Sequence, residues 1–584
     1  MAETLTIPTQ AATDLPTFKV LVDGEDIGGL FGLISIMVSK AVNKIPKARL
    51  ILSDGDVALE DFEVSSGDMF VPGKEVEIKG GYHNIEDTVF KGIIIKHGIK
   101  SLENKNPVLI IELRDAAVKM TIGRKSKYFE EVADSDVIEE IAGEYGLQTD
   151  VEATSVTHKE MVQYHCTDWD FVVSRAEVNG LLVFADDGTL GVKAPDLSQD
   201  PLLNLAYGHN IMEFEADMDA RDQLAASVSK SWDFTAQEMI EEEGEDPGLS
   251  EQGDFTTSDL SDVIGLETFT QQHSGKVEDT ELKAWSDARL LRSRLSKVKG
   301  RVKIVGFSDI KPGHIISFQG LGNRFNGPAF VSSVVHQITT GMAWYTHLEF
   351  GLDEQWFITR YDDIVDKPAG GMLPPIHGLQ VGVVTNIHED PDGDFRIKVR
   401  LPVIDPENEG VWARMVSPDA GENRGMVFRP EVEDEVIVGF LNDDPRDPII
   451  LGMVHSSAKP APIDAEEENN EKGFVTRGEL KLTFNDDKLS ITLETPNGNT
   501  MVISDDEGGI NLEDENGNKI TMSSDGITIE SAKDINLKAS GDINIEGTNI
   551  TEKASASYKA DGGAGAELTS SAQTVVKGSL VQIN

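Results

Sequence analysis

Cysteine is nearly missing from this chain. Among 584 residues there is one, Cys166. No internal disulfide can form, and no cysteine-based metal site exists. Set in the run His-Cys-Thr-Asp-Trp-Asp-Phe, Cys166 reads as packing rather than as a nucleophile. Basic residues are scarce as well. Lysine and arginine number 52 against 102 acids, a formal net charge of -50. Such a surface argues against nucleic-acid binding and against docking on anionic membranes, both of which need cations. No uninterrupted apolar run approaches about 18 residues, so no transmembrane helix is expected. The N-terminus, polar and expected to be loose over residues 1–15, lacks the charged segment plus apolar core of a secretory signal. The chain is therefore expected to fold in a cytoplasm and to reach any outside site by another route.

Catalytic signatures are equally thin. There is no His-Glu-x-x-His, no Gly-x-Ser-x-Gly and no phosphate loop; Gly320-Leu321-Gly322 lies in a strand region and reads as a turn. The histidines are scattered, and with 102 acids a pair of carboxylates carries no signal. No catalytic, cofactor-binding or metal-ligating residue is assigned, and no cofactor is expected.

What the chain does have is a repeat. From Gly509 to Ile550, short apolar-polar-apolar beats alternate with Gly, Ser and Asp turns. Three stand at a spacing of eight: Gly526-Ile527-Thr528-Ile529, Asp534-Ile535-Asn536-Leu537 and Asp542-Ile543-Asn544-Ile545. Period-two alternation buries one face and wets the other, and a fixed short repeat points to a β-solenoid. Eight residues cannot cover their own aliphatics. Ile527, Ile529, Ile535, Leu537, Ile543 and Ile545 must meet copies of themselves, in one coiled chain or between chains. Beyond Ile550 the beat fades into Ala, Ser, Gly and Lys, and the last residues turn apolar at Leu580, Val581 and Ile583.

Upstream, the pattern is strand-rich from Phe18 to about residue 120, with turns such as Pro72-Gly73. A helix is predicted through Val137, Ile138, Ile141 and Ala142, stopped by Gly146. A second carries Trp169, Phe171, Val172 and Ala176, capped by Thr167 or Asp168, and leads into a hairpin around Asp187-Gly188. Residues 236–262 are acidic and rich in Gly, Pro and Ser, and read as a solvated loop. Residues 280–298 form the one clustered basic element, a helix with Trp285, Ala288, Leu291 and Leu295 on its apolar face. Its cations Arg289, Arg292, Arg294 and Lys297 read as a solvated face or as a patch for an acidic neighbouring subunit. Strands with Asp-Pro-Asp-Gly and related turns over 377–457 suggest a small closed barrel.

Two stretches resemble a known family. Asp168, Trp169, Phe171, Arg175, Glu177 and Gly180 match the helix of VgrG and phage baseplate-hub proteins. Val399–Pro402, Trp412-Ala413-Arg414, Gly425, Arg429–Val436 and Asp444–Pro448 resemble the OB-fold of the same spikes. The resemblance implies a mainly β fold with two hub β-barrels and a few helices, an OB-fold barrel, and a C-terminal intertwined trimeric β-helix. Its expected divisions are a first hub barrel (1–130), a helix-plus-strand domain (131–235), an acidic loop or linker (236–280), a second hub barrel (281–365), a linker (366–376), the OB-fold (377–457), a charged linker (458–473) and the needle (474–584). It implies a non-enzymatic spike of a contractile injection machine, either type VI-like or an extracellular phage-tail-like particle. The implied partners are two further copies in a homotrimer, a hexameric Hcp-like tube, baseplate proteins, a PAAR-type tip protein seated on Leu580, Val581 and Ile583, effector cargo and, transiently, a target membrane. No histidine follows His455, so the His-based iron site of some phage tips is not expected. The rival readings are a β-helical polysaccharide-degrading enzyme and an adhesive tail-fibre-like module. The needle's few aromatics, Phe474, Phe484 and Tyr558, are poor material for sugar stacking.

Overall fold

The computed structural model describes Leu5–Thr6 and residues 15–583. Most of the polar opening expected to be loose, and the final Asn584, lie outside the described residues. The chain is mainly β and divides into two compact units. One comprises the residues up to Gly378 together with Phe440–Pro448; the other comprises Leu379–Gly439 and the residues from Ile449 onward.

In the first unit the strands of both expected hub barrels join in one 14-stranded sheet. The joint is the strand Gly327–Thr339. Its C-terminal half pairs antiparallel with Leu33–Ala41, Ser333 opposite Ala41 and Thr339 opposite Ser35. Its N-terminal end pairs with Ile315–Gln319, and Trp344–Phe350 runs back along it. Two apolar cores fill the sheet. One gathers Val20, Ile36, Leu50, Phe70, Ile78, Phe90 and Ile111 with Ile338 and Trp344. The other gathers Leu203, Val302, Ile316, Phe318, Val331, Leu348 and Phe350. The strands Leu203–Ala206 and Glu213–Met218 pair into this sheet, although the sequence division put them in the preceding domain.

A third core lies under the two predicted helices, Asp134–Glu144 and Asp168–Val178. Val137, Ile138, Ile141 and Ala142 are all buried, as their spacing requires. Thr167 is the N-cap of the second helix, its hydroxyl accepting from Asp170 N at 3.1 Å. The hairpin that follows, Leu182–Asp186 with Thr189–Lys193, turns through Asp187 and Gly188, both at positive φ. That conformation is what a two-residue hairpin turn requires of an Asp-Gly pair.

The acidic stretch 236–280 is not a linker. It holds the strand Glu238–Glu243, the helix Thr257–Ile264 and the strand Phe269–His273. Both strands flank Ser227–Asp233 in a three-stranded sheet. Met239 and Ile240 between the glutamates supply the strand character that the acidic composition hid. Within the expected linker 366–376, Pro368–Gly371 forms a 3-10 turn with Ala369 buried.

In the second unit, Gln380–Asn386, Ile397–Arg400, Val411–Met415, Glu435–Phe440 and Pro448–Met453 close a five-stranded barrel. Its interior is Val384, Ile397, Val399, Ala413, Val436, Val438 and Ile450. Met426–Phe428 lies outside any strand and follows a short ribbon of Ala420–Gly421 and Arg424–Gly425. Arg396 fastens the turn Asp390-Pro391-Asp392-Gly393, its Nη2 donating to Asp390 Oδ1 at 2.6 Å.

Candidate assembly interface

After the barrel the chain folds back on itself six times. Seven strands of five residues, from Glu471–Val475 to Gly526–Glu530, form one antiparallel sheet. The first strand starts at Glu471, inside the expected charged linker. The register aligns the apolar positions into two files on one face. The first is Phe474, Leu482, Leu493, Met501, Leu512, Ile520 and Ile529; the second is Phe484, Ile491, Ile503, Ile510, Met522 and Ile527. The opposite face carries Gly473, Thr483, Thr492, Val502, Asn511, Thr521 and Thr528. At about 4.8 Å per strand step, the files run roughly 29 Å.

Beyond its first strand, the apolar face is left largely open by the described residues. Ile491 is 40% exposed, Leu493 45% and Ile529 56%. A stable domain needs at least two layers around an apolar core, and a continuous uncovered file of aliphatics marks an association surface. At its start, the sheet packs on its own unit through Phe474, stacked on Phe428 with ring centres 5.4 Å apart.

The octads behave differently from the meander. The first, Gly526–Glu530, is a strand. Asp534–Leu537 and Asp542–Ile545 form no strand within the chain, and neither does the rest of 531–583. The first six meander strands start nine or ten residues apart, while the last, Gly526–Glu530, starts seven after its predecessor and turns back through only two residues. Length alone does not prevent an octad from turning back, yet among the described residues Asp534–Leu537 and Asp542–Ile545 pair with no strand of their own chain. Ile535, Leu537, Ile543 and Ile545 are exposed, as are Leu580, Val581 and Ile583.

The basic helix, Asp279–Leu295, is not the solvated or intersubunit patch the sequence suggested. Its buried face holds Leu282, Ser286, Ala288, Arg289, Leu290, Arg292, Ser293 and Leu295, with Trp285 and Leu291 only half-buried. Arg292 pairs with Glu177 and donates through Nη1 to the carbonyls of Asp353 and Gln355, each at 2.9 Å. Arg289 donates to the Glu354 carbonyl at 2.6 Å and lies 4.6 Å from the Phe269 ring centre. Arg294 Nε reaches Asp246 at 2.8 Å, and Lys297 pairs with Glu251. All four cations are committed inside the chain.

The motif residues of the preceding helix are fasteners of the same kind. Glu177 also accepts from Asn43 Nδ2 at 2.9 Å and from Phe357 N at 2.6 Å. Asp168 accepts from Gln163 at 2.8 Å and from the Tyr145 hydroxyl at 2.5 Å. Arg175 grips Asp134, a partner that sequence reading missed; the acid three residues before Val137 looked like an ordinary first-turn charge. Burial works to raise the Asp134 carboxyl, but hydrogen bonds from His158, Arg175 and Asn179 outweigh it and bring it down to about 2.

Chemistry is poorly provided for. Cys166 is half-buried, and burial, with Asp170 nearby, pushes its thiol up, away from the thiolate that a nucleophile needs. Among the described residues no group of three or more His, Cys, Asp or Glu is placed to hold a metal ion, and no helix is long and apolar enough to cross a membrane.

Three family models match the chain. The Alg8 N-terminal domain covers residues 12–340. The type VI secretion system/phage-baseplate injector OB domain covers 380–455, and the phage baseplate V C-terminal trimerisation domain covers 490–584. Among curated proteins, the chain is similar to the type VI secretion system spike protein VgrG4b of Pseudomonas aeruginosa, 25% identical over 318 residues, which is 49% of this chain and 36% of that protein. It is 22% identical to VgrG1b of the same organism over 457 residues, 71% of this chain and 59% of that one. The alignments thus leave a large part of both relatives unmatched. Among solved structures the chain is similar to the E. coli c3393 protein, described as a component of the type VI secretion system, with TM-score 0.36 and 12% identity over 75% of this chain and all of that one. The half-lidded Francisella PdpA-VgrG complex gives TM-score 0.37 and 9% identity, covering 88% of this chain and 87% of that one.

Proposed function

This chain belongs to the VgrG family of spike proteins and to the family of the Alg8 N-terminal domain, and on that premise we propose that it is the non-enzymatic hub and spike of a contractile injection machine. Its working form is a homotrimer. One observation carries this reading: a seven-stranded sheet with two uncovered apolar files, followed by octads that find no strand partner in their own chain. Three such sheets, apolar faces inward, make a prism whose core each chain supplies by a third. The description of the matching C-terminal model as a trimerisation domain supports the same count.

In the trimer the needle core is Ile527, Ile529, Ile535, Leu537, Ile543 and Ile545. The hub receives a hexameric Hcp-like tube and baseplate proteins, and Leu580, Val581 and Ile583 seat a PAAR-type tip protein. Effector cargo travels on the particle, which is assembled from cytoplasmic chains and delivered outward through a target membrane. Work is mechanical: the needle concentrates the thrust of the tube on a small area. The net charge of -50 keeps such a rod soluble and away from nucleic acid.

Sedimentation of the purified chain at micromolar concentration tests the reading. A mass of three chains is expected; a single-chain mass overturns it. Co-purification with a hexameric tube protein tests the hub, and failure to retain any tube subunit counts against that part.

A further inference from the structure

The three-stranded sheet of the acidic segment is built inside out. Its central strand, Ser227–Asp233, turns Ser227, Ser229 and Ser231 inward, all fully buried. Against them the helix Asp279–Leu295 sets another small polar residue, Ser286, whose hydroxyl donates to Ser229 Oγ at 2.7 Å. Gly244 permits this approach: a Cβ there would stand 2.6 Å from the Ser286 carbonyl oxygen. The side facing solvent carries the large apolar groups. Trp232 and Met239 are directly opposed across the hairpin, 40% and 47% exposed. Phe234, in the turn beyond, is 68% exposed.

The turn is held rigidly. Asp233 is buried, accepts from Thr235 N at 2.8 Å and pairs with Lys276 at 3.0 Å. A sheet ordinarily buries its apolar face and wets its polar one. Here the inner hydroxyls of Ser229 and Ser231 are hydrogen-bonded while that of buried Ser227 finds no partner, and the aromatic and thioether groups that dominate binding energy at interfaces are presented outward.

The rim gives the sign of the partner. From Glu238 to Asp246 the chain has six acids and no base. Glu241 is matched by Lys230 and Asp246 by Arg294. Of the four without an ion-pair partner among the described residues, Glu243 shares the face of Met239, with exposed Glu245 beyond Gly244, whereas Glu238 and Glu242 alternate to the serine side.

From this we propose that Trp232, Phe234 and Met239 form a docking face for a basic segment of another protein, one that inserts apolar side chains between the aromatics while its cations meet the uncompensated glutamates. The face lies on the hub unit, outside the surfaces used by the needle and its tip.

The test uses the full-length protein and two synthetic twelve-residue probes, one alternating Lys and Leu, the other alternating Lys and Gly. Binding is read by calorimetry at low and moderate salt. The expected result is saturable binding of the Lys-Leu probe, weakened at least tenfold by W232S/F234S and also by E243Q/E245Q, with much weaker binding of the Lys-Gly probe. Equal binding of both probes, or equal binding to wild type and W232S/F234S, overturns the proposal. All these positions are exposed, so folding is checked simply by unchanged circular dichroism. Sedimentation of W232S/F234S separates the remaining case: if the variant loses its oligomeric state, the face is a contact between copies of this chain and the basic-partner assignment fails. A trimer count that fails while the Lys-Leu probe still binds leaves this face standing and removes only the needle reading.

Discussion

Arg175 holds Asp134 by two parallel hydrogen bonds, Nε to Oδ1 at 2.5 Å and Nη2 to Oδ2 at 3.0 Å, and so locks the second helix onto the start of the first. Asp134 is 1% exposed, which makes the pair intolerant of losing one member. Arg175→Ala is expected to destabilise the hub by about 3 kcal/mol, because a buried charge is left with too few donors. Chemical denaturation followed by tryptophan fluorescence measures it.

The same pair sets an acid limit. The carboxyl of Asp134 sits at about 2 when folded, below its ordinary value of 3.8. A depressed acid contributes stability above its unfolded value and loses that contribution as the pH falls through the folded one. The contribution, on the order of ~2 kcal/mol, is expected to vanish between about pH 4 and pH 2. Asp134→Asn should flatten the stability curve in that window relative to wild type.

Glu177 and Arg292 join the helices Asp168–Val178 and Asp279–Leu295 to the loop at Asp353–Phe357. Arg292→Ala is expected to cost about 3–5 kcal/mol. Replacing both charges together, Glu177→Met with Arg292→Met, should recover a large part of that loss, since neither partner is then stranded. A double-mutant cycle by urea unfolding checks the difference.

On the needle sheet, Ile503 and Ile510 oppose each other in the second apolar file. Ile510→Glu is expected to convert the micromolar assembly to single chains in sedimentation, because a carboxylate placed in a shared apolar seam is uncompensated. Thr492→Glu, on the other face of the same sheet, should leave the mass unchanged.

Hydrogen exchange separates the two halves of the C-terminal region. Amides of 471–530 pair within the chain and are expected to be protected at any protein concentration. Amides of 531–583 should gain protection only when the protein is assembled. Protection of 531–583 in single chains would contradict the interchain assignment.

Local rules went far in this chain. The capped helix at Thr167, the stop at Gly146, the Asp187-Gly188 hairpin and the strands of the small barrel were all legible, because each depends on residues a few positions apart. The failures share one cause. Arg289, Arg292, Arg294 and Lys297 look like a solvated stripe until their partners, 46 to 115 positions away along the chain, are brought alongside. Whether a charge is free or committed is a tertiary fact. Composition misled in the acidic segment for a related reason: six acids outweighed Met239 and Ile240, yet two apolar residues were enough to seat a strand beside Ser227–Asp233. The octads were legible as a repeat, but a period of eight does not say whose chain supplies the neighbour.

The strand Gly327–Thr339 has a mechanical consequence. One continuous backbone belongs to both hub cores, with Val331 and Val334 in one and Ile338 in the other. The lobes therefore have no seam along which they could slide or hinge. Separating them means breaking a covalently continuous strand out of the ladders on both its sides at once. A load applied to this unit is therefore carried by one continuous ladder, and compliance is left to the loops around it.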